Sequence, residues 1–173
     1  MKNIKNNKLG GLLILVFVTI FMLFSCQNKS EKAGEKLMEN ALENATGTDA
    51  NVDIDKEKVV VETEAGRMEV DGNAKSWPDE IPGEIPEFKF GKIDAVTTSN
   101  FDDTNAWVIA FSELQDGFLD KYDAQLKEKG FETMLMKMGD KGGSITAESD
   151  KYNVFLMGGE GTLSLSVSVK KQE

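Results

Sequence analysis

The sequence predicts an α+β fold. The expected core is an antiparallel β-sheet in the order β-β-α-β-β-β-β with one helix packed on a face, preceded by an N-terminal helix and a β-hairpin. Three observations carry that expectation. Short runs rich in Val, Ile, Phe and Leu alternate with Gly- or Asp-containing turns, as strands of a meander do. A single stretch from Asp116 to Lys129 has helical apolar spacing. Strands joined by short turns pair antiparallel, and a lone helix among them covers the apolar face. At 173 residues the chain can bury one real core.

The elements follow in order. Lys2, Lys5 and Lys8 form a basic start, and Gly10 to Phe24 runs GGLLILVFVTIFMLF. That apolar run is about 15 residues, short of the roughly 20 a spanning helix needs, and the layout is that of a signal peptide. Leu23-Phe24-Ser25-Cys26 then resembles the lipobox of bacterial lipoproteins, with Leu at −3, Ser25 at −1 and Cys26 at +1. The resemblance implies cleavage between Ser25 and Cys26, a diacylglycerol on the Cys26 sulfur, and export to a bacterial cell membrane or outer membrane. Two or three acyl chains anchor a protein stably where one does so marginally. Removing 25 of 173 residues leaves 148, and loss of the three lysines takes the net charge from −10 to −13. The lipid on Cys26 would do the anchoring, since an acidic domain is repelled by an anionic surface.

Ser30 is placed to cap a helix from Glu31 to about Ala45, with Ala33, Leu37, Met38, Ala41, Leu42 and Ala45 as its apolar stripe. Lys58–Thr63 and Arg67–Val70 flank the turn Glu64-Ala65-Gly66, and Val52–Asp55 adds a short strand. A lone hairpin is marginal in water, so this unit is expected to join the main sheet. All three prolines fall within Trp77-Pro78-Asp79-Glu80-Ile81-Pro82-Gly83-Glu84-Ile85-Pro86. Proline fixes φ and biases its predecessor to extended geometry, which predicts a stiff extended connector packed through Trp77, Ile81 and Ile85.

Beyond it, Lys92–Thr98 and Ala106–Ser112 read as strands around a polar turn region, Ser99 to Asn105. The helix that follows sets Phe118, Leu119, Tyr122 and Leu126 on one face, and Gly130 supplies its C-terminal cap with Phe131 folding back. Four strands complete the chain: Phe131–Met138, Gly143–Ser149, Tyr152–Met157 and Thr162–Lys170. Gly142-Gly143, Asp150-Lys151 and Gly158–Gly161 are expected as their turns, with Leu163, Leu165, Val167 and Val169 inward on the last strand. The expected organisation is a signal peptide (1–25), a tether (26–30), the N-terminal helix and hairpin (31–76), the connector (77–90) and the α+β domain (91–173).

Trp77-Pro78-x-x-Ile81-Pro82, then Gly91-Lys92-Ile93, the helix with Tyr122, and Lys129-Gly130-Phe131 before a strand meander together resemble an uncharacterised domain of small bacterial lipoproteins. That resemblance implies lipid anchoring and brings no activity with it.

Composition narrows the chemistry. No His and a single Cys remove Ser-His-Asp and Cys-His catalysis, His-ligated metals and internal disulfides. Thirty acids against twenty bases argue against nucleic acid, whose phosphates need clustered Lys and Arg. Asp49-x-Asn51-x-Asp53 begins like an EF-hand loop, but Ile54 and Val60 stand where Gly and Glu belong. Asp102, Asp103 and Asn105 read as a solvated turn. Met134, Met136 and Met138 alternate along one strand; thioethers suit Cu(I), yet with no His or free Cys beside them a core-facing row filling an irregular gap fits better. No cofactor is expected, no carboxylate pair is marked out for catalysis, and the chain reads as a non-enzyme. The sequence ranks a non-catalytic interaction module with an envelope protein partner first. A small-ligand or cation-binding lipoprotein comes second, and an acid-residue hydrolase last.

Overall fold

The computed structural model describes residues 31–47, 49–101, 104–139 and 142–170. Nine strands form one antiparallel sheet: β1 (Ala50–Asp55), β2 (Lys58–Thr63), β3 (Gly66–Asp71), β4 (Lys92–Phe101), β5 (Thr104–Ser112), β6 (Glu132–Met138), β7 (Gly142–Glu148), β8 (Tyr152–Gly159) and β9 (Thr162–Val169). Helix α1 (Glu31–Thr46) precedes them, and α2 (Phe118–Glu128) separates β5 from β6. The spatial order is β1-β2-β3-β4-β5-β9-β8-β7-β6, so α2 carries the chain from the middle of the sheet to its far edge and the last four strands meander back.

The expected α+β domain of six strands and one helix is thereby corrected. The fold is sheet-dominated, and the N-terminal strands belong to the same sheet, because β3 pairs along its whole length with β4 from Gly66↔Phe101 to Asp71↔Val96. Joining gives β3 a hydrogen-bonded partner that a free hairpin would lack.

Side chains of a strand alternate between faces, so the register assigns every residue a face. The front face of β5, β9 and β8 holds Trp107, Ile109 and Phe111, then Leu163, Leu165 and Val167, then Val154 and Leu156. These join Ile145, Ala147 and the α2 residues Phe118, Leu119, Tyr122 and Leu126 in the larger core. In β4 a bulge at Asp94 lets Ile93 and Val96, three apart, both face front. Across β3 the assignment inverts. The buried Val52, Val59, Val61 and Met68 lie on the back face, where Met38 and Leu42 of α1 cover them. Of the expected helical stripe, Leu37 turns out to be exposed, so α1 docks through a narrower seam.

The connector is not extended. Ile81 N–H donates to Pro78 O at 3.2 Å and Ile85 N–H to Pro82 O at 2.9 Å, so each proline opens a turn. The two turns drop Ile81 and Ile85 into the larger core while Trp77 packs half-buried at its border. Phe88 then meets Phe90, Phe111, Phe118 and Tyr122 with ring centroids 4.7 to 6.3 Å apart. The Tyr122 hydroxyl donates to Pro86 O at 2.9 Å, pinning the connector to α2. The helix ends as expected: Gly130 sits at φ +86° and Phe131 N–H donates to Leu126 O at 3.0 Å. Other boundaries move. Ser99–Asn105 is mostly strand, and Gly142, Gly143, Gly158 and Gly159 lie inside β7 and β8, leaving Glu160-Gly161 as the turn.

Two buried ionisable groups make the fold pH-sensitive at opposite ends. Burial pushes the Tyr122 phenol above its ordinary value. A native pKa raised above the unfolded one gives stability that is intact below about pH 10 and lost as the pH climbs towards the native value. Tyr122→Phe should therefore cost about 1 kcal/mol at neutral pH and show a shallower alkaline decline in denaturant midpoint. Asp123 has the reverse sign. Burial works to raise its carboxyl, but hydrogen bonds from Lys127 Nζ (2.8 Å) and Thr133 Oγ1 (2.6 Å) outweigh that and hold it below the usual range. Its contribution is whole above about pH 4 and lost as the pH falls through the lowered native value. Asp123→Asn should destabilise by about 1–3 kcal/mol and flatten the acid limb of a pH-stability curve.

Candidate interaction face

The sheet buries opposite faces in its two halves, which leaves two faces open. The open front of β1–β3 is charged. Lys58 Nζ lies 2.7 Å from Glu69, and Arg67 reaches Glu62 at 2.7 Å and Glu69 at 2.9 Å. The hydrogen bond from Lys58 lowers the Glu69 carboxyl below its ordinary value. These pairs are solvated and exchange one exposed charge for another, so they contribute little to stability. Asn51 and Asp53 stand exposed on this face of an extended strand, which cannot curl around a cation as a calcium loop does.

The open back of β6–β8 is apolar. Met134, Met136 and Met138 are 67%, 56% and 54% exposed, Met157 is 52% exposed and Phe155 46%. The register gathers them. One row runs Met134, Thr146, Phe155, Ser166 and Val108, and the next runs Met136, Ser144, Met157, Ser164 and Ala110. Met138 opposite Gly142 begins a third. Neighbouring strands are about 4.8 Å apart, so the rows make one patch. The intervening residues are small, which leaves the Met and Phe side chains standing above a Ser/Thr floor. No charge interrupts these rows; Glu132, Glu148 and Lys170, the last two 3.3 Å apart, mark one end.

This overturns the expectation that the Met row faces the core. On β6 the covered residues are Thr133 and Leu135, because α2 lies on the front and fixes that side with Thr133–Asp123 and with Lys137 Nζ 2.7 Å from Asp120. Gly143 allows β7 to sit this close: its φ is +156°, and a Cβ there would fall 2.2 Å from Met136 O.

The two sheet edges differ. On β1, Val52 N–H donates to Glu39 Oε1 and Ile54 N–H to Glu35 Oε1, each at 3.2 Å, so α1 satisfies edge donors that would otherwise be open to another strand. On β6 no hydrogen bond beyond those of the β7 ladder reaches the strand's backbone among the described residues. Glu35, Glu39, Phe155 and Met157 were not singled out by sequence reasoning.

Elsewhere, a cleft of about 470 Å³ lies between the connector and α2, lined by Trp77, Ile81, Ile85, Pro86, Gln125 and Lys129 among others. Gln125 Oε1 and Trp107 Nε1 are buried without partners among the described residues. Also among the described residues, no three His, Cys, Asp or Glu side chains stand together as metal ligands, and no helix is long and apolar enough to cross a membrane. Ser25, Cys26, Asp102 and Asp103 lie outside the described residues.

No protein-family model, curated protein or solved structure matches the chain. The open face is therefore the feature from which function is argued. Monomeric proteins rarely leave a contiguous apolar patch uncovered unless something binds it, and flexible thioethers adapt to a partner's shape.

The edge caps are testable. Replacing Glu35 and Glu39 together by Ala should cost about 1 kcal/mol and speed amide exchange of Val52 and Ile54 by at least about fivefold, read by native-state hydrogen exchange, with β8 and β9 amides unchanged beyond the global shift.

Proposed function

We propose that the protein is a lipid-anchored lipoprotein of a bacterial envelope that acts as a non-catalytic interaction module, holding a protein partner on the open Met/Phe face of β6–β8. The observation that carries this reading is that face: five large apolar side chains exposed together, with no charge between them. The anchor is read from the lipobox-like Leu23-Phe24-Ser25-Cys26 and from the resemblance to small bacterial lipoproteins. The two parts fit one another, since anchoring to a membrane confines the domain to the compartment where an envelope partner would meet it. Energetically, a partner that covers Phe155 and Met157 removes apolar area worth about 25 cal/mol per Å², and aromatic anchors at the centre of a patch dominate such interfaces.

The test is in-cell crosslinking of the tagged full chain, followed by pull-down and mass spectrometry. Incorporation of a fatty-acid analogue should label the native chain and not Cys26→Ala. One envelope protein should be enriched with the native chain, and at least about tenfold less with Phe155→Ser plus Met157→Ser. Undiminished capture by the face variant would remove the face from the reading; an unlabelled native chain would remove the anchor.

A further inference from the structure

We propose that β6 is a self-pairing edge: two copies of the chain join β6 to β6 antiparallel about a two-fold axis, making one continuous sheet and one doubled Met/Phe face. The inference rests on the reading of β6–β8 as a binding surface and names one occupant, a second copy.

The two edges of the sheet are asymmetric. An unpaired edge strand offers backbone donors and acceptors to any strand that comes alongside, and proteins blunt such edges with charges, prolines, bulges or covering groups. This molecule does so at β1, where carboxylates of Glu35 and Glu39 accept from Val52 and Ile54 N–H. At β6 it does not. The strand is seven residues long, ETMLMKM, with no proline or glycine. Its lysine is turned to the front, where Asp120 holds it 2.7 Å away.

The β6 edge is also self-complementary. A two-fold axis perpendicular to a sheet keeps each face continuous, so back-face residues of one copy meet back-face residues of the other. About a centre at Leu135, Met134 faces Met136 of the second copy, Leu135 faces Leu135, and Thr133 faces Lys137. About a centre at Met136, Met134 faces Met138 and Leu135 faces Lys137. Neither register sets like charges opposite one another, the arrangement that destabilises a pair. Both bring the two methionine rows side by side.

Five side chains each about half exposed leave on the order of 500 Å² of apolar surface per chain, at the upper end for a monomer's largest patch. Pairing β6 to β6 lays two such patches side by side as one continuous back face.

Site-directed crosslinking of the full chain in whole cells tests this. Met134→Cys, Met136→Cys and Met138→Cys replace exposed side chains and so preserve the fold, and Asn51→Cys places a thiol on the capped β1 edge. Each is treated with a short bismaleimide, and the unmodified chain supplies the background of Cys26. Expected is an adduct of twice the chain mass from at least one β6 position, at least tenfold stronger than from Asn51→Cys. Adding Met136→Lys to Met134→Cys should cut that adduct at least fivefold, because either register brings the two lysines together near the axis. An adduct between β6 and a different protein overturns the second copy as occupant and leaves the interaction reading standing. No adduct from any β6 position overturns the self-pairing edge, and if the face variant also leaves capture undiminished, the interaction reading falls separately.

Discussion

Everything in this molecule depends on one constraint: a continuous backbone ladder that runs through nine strands while the apolar side of the sheet changes at β3/β4. Because side chains alternate with a period of two, the two halves need no break in the ladder to bury opposite faces. It is enough that β3 places Met68 on the back while β4 places Ile93 and Val96 on the front. The bulge at Asp94 lies beyond the residues that pair with β3, and it puts Ile93 on the same face as Val96. Each half then has one covered face and one open face, and the chemistry of the open faces differs: ion pairs on one, methionine and phenylalanine on the other.

The covering elements are set by the same constraint. Helix α1 covers the back of β1–β3, and its Glu35 and Glu39 also satisfy the β1 edge. The front of the other half is covered twice over. Adjacent antiparallel strands such as β3 and β4 need only a two-residue turn, yet the chain between them runs from residue 72 to 91. That excursion folds into successive proline turns and delivers Ile81, Ile85 and Phe88 to the front core, beside the face that α2 covers. The Tyr122 hydroxyl on Pro86 O joins the two covers. Among the described residues, nothing comparable covers the back of β6–β8.

Much of this was legible in the sequence. The strand runs, the apolar face of α2, the glycine cap at Gly130 and the hairpin at Glu64–Gly66 follow from local rules that act within a few residues. The Met row shows where such rules stop. Alternation correctly separates Met134, Met136 and Met138 from Thr133, Leu135 and Lys137, and hydropathy alone then puts the methionines inside. They are outside because α2 lies on the other face and engages Thr133 and Lys137 with Asp123 and Asp120. Those carboxylates come from residues 10 and 17 positions away, and no pattern within the strand encodes which face they will meet. The connector fails for a related reason: proline geometry permits both an extended run and a chain of turns, and the core that takes up Ile81 and Ile85 selects the turns.

The sequence by itself determined the elements, their order, the alternating faces of each strand and the class of chemistry that a His-free, acid-rich chain cannot perform. It also carries the charged, apolar and small-residue pattern that ends at Cys26. Only the tertiary structure decided which face each half of the sheet buries and, among the described residues, which edge no other element covers. The physical reason is that period and propensity act along the chain, whereas burial depends on which distant surface arrives first against a given face.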